Sequence, residues 1–74
     1  MVSTETVRGR IEEALPGARA AVVDTTGAGD HFEVHVTAPG FAGLGLVDQH
    51  RLVYEALGDL MAAIHALSLR TNAP

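Results

Sequence analysis

Between His31 and Thr37 the chain alternates strictly: Phe32, Val34 and Val36 are apolar, while His31, Glu33, His35 and Thr37 are polar. A period of two is that of a pleated strand and not of a helix. The segment must therefore lie in a sheet, with the Phe32 side buried and the His31 side facing outward or toward a partner. Gly27-Ala28-Gly29-Asp30 just before it is a turn signal, and Ala20 to Thr25, with Val22 and Val23, precedes that turn. The two segments are expected to pair as a β-hairpin. A sheet with one apolar face needs a cover, and 74 residues leave room for only one. Residues 1–74 are read as a single domain around a thin core, a size at which a partner or ligand adds materially to stability.

The cover is legible on both sides of the hairpin. From Ser3 to Leu15, Val7, Ile11 and Leu15 fall at the four-residue spacing of one helical face. Ser3 is placed to cap that helix, Glu5 complements its dipole, and Pro16-Gly17 stops it. After Ala38-Pro39-Gly40 ends the second strand, Phe41-Ala42-Gly43 makes a short apolar anchor. From Leu46 a second helical pattern runs through Val47, His50, Val53, Tyr54, Leu57, Leu60 and Met61, with Gly58 leaving its end open. Ile64 to Thr71 alternates again, with His65, Leu67 and Leu69 on one side and Ala66, Ser68 and Arg70 on the other, and reads as a third strand. The strand–helix–strand crossover returns that strand parallel to the second. The expected fold class is α+β: a three-stranded mixed sheet packed against helices.

Composition narrows the chemistry. There is no cysteine, which excludes disulfides, a thiol nucleophile and any zinc site built on thiolates. The five basic residues are all arginines (Arg8, Arg10, Arg19, Arg51 and Arg70), spread along a chain of net charge −4. Nucleic-acid affinity comes mostly from neutralising phosphates, so this balance favours a protein partner. No apolar run approaches the roughly 20 residues that cross a bilayer, and Met1 to Leu15 is charged where a signal peptide would be apolar. A cytoplasmic protein without a membrane partner is expected. No Ser/His/Asp or paired-carboxylate arrangement stands out, so the chain is not expected to be an enzyme.

The histidines are the candidates for chemistry. In a strand, the four-residue spacing of His31 and His35 separates them by roughly 13 Å, too far to share one metal ion. His35 reads as a solvated strand residue. His50, inside the apolar stripe of the second helix, reads as a half-buried structural histidine, and Arg51 beside it as a surface charge or partner contact. Spacing alone makes His65, at the start of the last strand, a satisfied edge histidine, although imidazole is the commonest metal ligand and leaves that edge open as a site. Gly40-Phe41-Ala42-Gly43 fits the GxxG pattern of nucleic-acid clamps but lacks a Lys or Arg to meet phosphate. A turn feeding a helix explains both glycines, and a hairpin turn explains Gly27 and Gly29.

Several of these features combine. Asp24, His31-Phe32 with Val34 and Val36, Phe41-x-Gly43, His50-Arg51-Leu52-Val53-Tyr54, Leu57, Ile64-His65-Ala66-Leu67 and Thr71-x-x-Pro74 together closely resemble the BolA family over nearly the whole chain. The resemblance implies a class II KH-like fold of order αββαβ. It also implies a partner, a monothiol glutaredoxin, with which BolA-like proteins share a glutathione-ligated [2Fe-2S] cluster in iron–sulfur trafficking or iron regulation. Some relatives are described as DNA-binding transcriptional regulators, which is the alternative reading. By position, His65 matches the family's cluster-ligating histidine. The family's second ligand, a His or Cys, often lies in a longer hairpin loop, whereas Thr26 to Asp30 holds neither and His31 is the nearest candidate. Gln49 stands where the family often has an arginine, which lowers local positive charge and weakens the DNA reading. With no thiolate of its own, the isolated chain is expected to hold no cluster.

Overall fold

The computed structural model describes residues 2–74. Helix α1 spans Thr4–Ala14, strands β1 and β2 span Arg19–Asp24 and His31–Thr37, helix α2 spans Leu46–Leu57, and strand β3 spans Ala66–Asn72. Short 3-10 turns at Pro39–Phe41 and Gly58–Ala63 flank α2. The sheet order is β1-β2-β3, with β1 antiparallel and β3 parallel to the central strand. The α+β class, the hairpin and the parallel return of the last strand are as the sequence predicts. No helix among the described residues is long and apolar enough to cross a membrane.

Both helices lie on the Phe32 side of the sheet. Ser3 caps α1, its hydroxyl accepting from the Thr6 N–H at 3.0 Å, and the helix buries Val7 and Ile11 one turn apart. On β2, Phe32, Val34 and Val36 are buried. Phe41, in the turn after β2, is also buried and fills the floor of the core with Val53 and Leu57 of α2. Each such side chain contributes about 1.5–3 kcal/mol on burial. Phe41 is therefore a large fraction of what so small a core supplies.

Three expectations need correction. The second helix ends at Leu57 rather than continuing to Met61; Gly58 turns the backbone to φ 51° and the chain goes on as a 3-10 turn. Within α2, Val47 and Tyr54 are 72% and 42% exposed rather than part of the buried stripe. The face turned to the sheet is set by Val53 and Leu57, with Gln49 and His50 half-buried beside them, and Val47 and Tyr54 lie together off that face. Finally, β3 begins at Ala66, not Ile64, and His65 is exposed instead of sharing the Leu67 and Leu69 side. The His65 and Ala66 N–H groups both donate to the Asp30 carbonyl, at 2.8 and 3.1 Å. That shared acceptor bends the backbone, so Ile64 is buried and His65 turns out ahead of the strand.

The hairpin turn is organised by one side chain. Asp24 Oδ1 accepts from the N–H groups of Thr26 and Gly27, and Oδ2 from that of Gly29, at 3.3, 2.9 and 3.0 Å. Gly27 and Gly29 have φ of 79° and 76°, which side chains rarely adopt, and this lets three amides converge on one carboxylate. Val2 closes over the turn, its N–H donating to the Gly29 carbonyl at 3.0 Å. Across the molecule, Arg10 of α1 donates to the Asp59 carboxylate at 2.9 Å and to the Leu57 carbonyl at 3.3 Å, fastening α1 to the end of α2.

Two predictions follow from these contacts. Asp24→Ala, which removes three acceptor contacts from a turn, should lower stability by about 1–2 kcal/mol; an unchanged urea midpoint would show that the glycines shape the turn unaided. The Arg10 guanidinium holds the Asp59 carboxyl below its usual range, chiefly through their hydrogen bond. A depressed carboxylate stabilises the fold above its unfolded pKa and stops doing so as pH falls through the lower, folded value. Asp59→Asn should therefore cost stability at neutral pH and progressively less below about pH 4. A difference between wild type and variant that stays constant into acid would contradict this.

Candidate metal centre

The turn and the crossover meet at one end of the sheet. His31 is the first residue of β2, and its carbonyl accepts from both the Thr25 N–H and the Thr25 hydroxyl, at 3.0 and 3.2 Å. Its register partner on β3 is Ala66, the residue after His65. The paired bonds to the Asp30 carbonyl hold His65 against the start of β2. As a result the His31 and His65 rings lie with centroids 5.0 Å apart and planes tilted by 33°. His31 is partly open to solvent and His65 exposed, so both imidazoles are accessible from outside.

Asp30 is the third group at this end. Its Oδ2 lies 3.9 Å from His31 Nε2, an ion pair when that ring is protonated, and its Oδ1 accepts from the Thr26 hydroxyl at 3.3 Å. Its backbone carbonyl positions His65, and its carboxylate stands beside the His31 ring. The spacing of the sequence does not reveal this double role; an Asp after glycine reads there as an ordinary turn residue.

The other histidines stand apart. His35 lies farther along β2, its Nε2 2.7 Å from Asn72 Oδ1, which also accepts from the Thr37 hydroxyl. His50 is half-buried as expected, stacked edge-on to Tyr54 at 6.4 Å, and its Nε2 is buried without a hydrogen-bond partner among the described residues. Gln49 has a structural task that sequence reading missed: its side-chain amide donates to the Leu44 carbonyl at 2.9 Å, and its Oε1 accepts from the Thr71 hydroxyl at 2.7 Å. It thereby ties the entry of α2 to β3.

Two imidazole nitrogens bound about 2 Å from one metal at a near-tetrahedral angle put the ring centres roughly 5 Å apart, and the observed separation is 5.0 Å. No group of three or more His, Cys, Asp or Glu able to hold a metal occurs among the described residues. The pair could offer a metal two imidazole ligands, and among the described residues no third His, Cys, Asp or Glu joins them.

Comparison with known proteins agrees with this architecture. The family model described as BolA-like protein matches residues 11–74. Protein BOLA2 of Arabidopsis thaliana is 38% identical over 71 residues, covering 95% of this chain and 76% of that protein. The DNA-binding transcriptional regulator BolA of Vibrio cholerae is 48% identical over 46 residues, 61% of this chain and 43% of the regulator. The solved structure of a BolA homologue from Coxiella burnetii superposes with a TM-score of 0.80 at 45% identity, covering 100% of this chain and 94% of that one. With the sheet order, the crossover and the family match in agreement, the chain belongs to the BolA-like family.

Proposed function

We propose that the chain is the imidazole-bearing half of a shared [2Fe-2S] centre, docking with a monothiol glutaredoxin whose thiolate, with that of glutathione, holds the other half. The observation that carries this reading is the juxtaposition of His31 and His65. In Rieske centres two histidines replace two cysteines on one iron, and this cysteine-free chain offers two imidazoles side by side at an exposed end of its sheet. His65 is the principal ligand, positioned by the Asp30 carbonyl, and His31 the second. The role that follows is a non-enzymatic adaptor in cluster trafficking or iron regulation.

A second reading, a DNA-binding regulator, is favoured by the Vibrio cholerae relative described as one. Electrostatics speaks against it. The net charge is −4, Arg10 is engaged by Asp59, and Arg51 lies 3.8 Å from Asp48. The other guanidinium groups, Arg8, Arg19 and Arg70, come from three different elements, α1, β1 and β3.

The test is reconstitution with a monothiol glutaredoxin, glutathione, iron and sulfide, followed by visible circular dichroism. His65→Ala should keep the fold and weaken the cluster-bridged complex by more than the roughly 10–100-fold that loss of an outer-shell partner costs. His31→Ala should give a smaller loss, and His35→Ala almost none. An unchanged spectrum for His65→Ala would overturn the assignment, as would a stable cluster in the chain alone. The DNA reading predicts tight, sequence-selective gel shifts at physiological salt; we expect weak ones that vanish as salt rises.

A further inference from the structure

The two outer strands of the sheet are finished differently. In β1, the Thr25 bond to His31 sets the ladder so that the backbone of Ala20, Val22 and Asp24 faces the free edge. There the Ala20 N–H donates to the Glu12 carboxylate of α1 at 3.0 Å. In β3, the ladder is bracketed by the Ala66 N–H donating to Asp30 and the Asn72 carbonyl accepting from Ala38. The backbone of Ala66, Ser68, Arg70 and Asn72 therefore faces β2, and that of Leu67, Leu69 and Thr71 faces outward. None of these three residues' backbone groups has a partner elsewhere among the described residues. The edge also carries no proline, lysine or bulge of the kind that normally discourages strand pairing.

Beside this edge runs a groove between β3 and the start of α2, lined by Leu46, His50, Leu69, Arg70 and Thr71 among others. A second depression on the outer face of α2 continues it past Val47, His50, Arg51 and Tyr54. Leu46, Val47 and Tyr54 are 62%, 72% and 42% exposed, so most of the large apolar surface left open on this molecule is here. No carboxylate lines either depression, although the chain carries nine. The charges at hand are Arg51, loosely paired with Asp48, and Arg70, which has no ion-pair partner among the described residues and on the open face of the sheet lies in a depression that Glu33 also lines.

We propose that the free edge of β3, with the α2 groove, receives an extended segment of a partner protein as a fourth strand, its side chains alternately apolar and acidic. Strand addition satisfies the outward amides and carbonyls of Leu67, Leu69 and Thr71, and places alternate side chains over Leu46, Val47 and Tyr54. Acidic residues on the other side face Arg70. A second copy of this chain is the poorer occupant, because a two-fold contact brings two arginine-lined, carboxylate-free grooves together. Single-stranded nucleic acid is poorer too, since the net charge of −4 opposes a polyanion. The inference does not depend on the histidine pair binding metal.

The test pans a displayed library of nine-residue peptides on the full chain and follows a recovered peptide by amide hydrogen exchange. The expected peptides alternate apolar and acidic residues, protect the Leu67, Leu69 and Thr71 amides, and leave the β1 edge unchanged. Arg70→Glu should weaken binding at least about tenfold, as expected for loss of an interfacial charge pair, and Val47→Asp should weaken it as well. His65→Ala should leave it unaltered, which separates this site from the metal centre. The inference is overturned if no peptide is enriched, if enriched peptides are basic or protect other amides, if the edge is already covered by self-association, or if an oligothymidylate displaces the peptide.

Discussion

A single carbonyl oxygen sits where the hairpin and the returning strand of this fold meet. Asp30 ends the hairpin turn, and its carbonyl accepts the N–H groups of both His65 and Ala66. Through that contact the returning strand takes its parallel register on β2, Ile64 turns into the core, and His65 turns out beside His31. Two histidines 34 positions apart in the chain thus become neighbours through backbone geometry. Neither imidazole has to be held by a dedicated pocket.

Beneath that junction the core is small, and its parts are correspondingly interdependent. Phe32, Val34 and Val36 of the central strand meet both helices, and Phe41 closes the space between the strand and α2. The connections that fix the cover are polar and few: Arg10 to the end of α2, Gln49 between α2 and β3, and Asp24 within the turn. A domain of this size has a stability of only a few kcal/mol. Each of these contacts is therefore a sizeable part of the total, and binding a partner stabilises the fold by mass action.

Most of the architecture is written in local patterns. The alternation of Phe32, Val34 and Val36, the i, i+4 spacing of Val7 and Ile11, and the glycines before His31 each specify an element without help from the rest of the chain. The errors fall where tertiary context decides. Val47 and Tyr54 fit a helical stripe as well as Val53 and Leu57 do, and only the position of the sheet selects between them. The alternation from Ile64 to Thr71 continues through His65 on paper, but the shared bonds to Asp30 reverse the sense of burial at that residue. For the candidate site, family resemblance and the parallel crossover point to His65 and His31 from sequence. Nothing points to Asp30, because its contribution is a carbonyl that every residue possesses. The roles of Asp24 and Gln49 were hidden for a similar reason: turn-forming and bridging side chains carry no periodic signal.

The central claim is that imidazole nitrogens of this chain complete a cluster whose other ligands come from a partner. The most direct measurement is pulsed electron paramagnetic resonance on the reduced cluster of the reconstituted complex, with only this chain's histidines labelled with nitrogen-15. The account predicts coupling to two nitrogen-15 nuclei in the wild-type complex, with one coupling lost in His31→Ala and the remaining one assigned to His65. A cluster that forms with the partner but shows no nitrogen-15 coupling would contradict it.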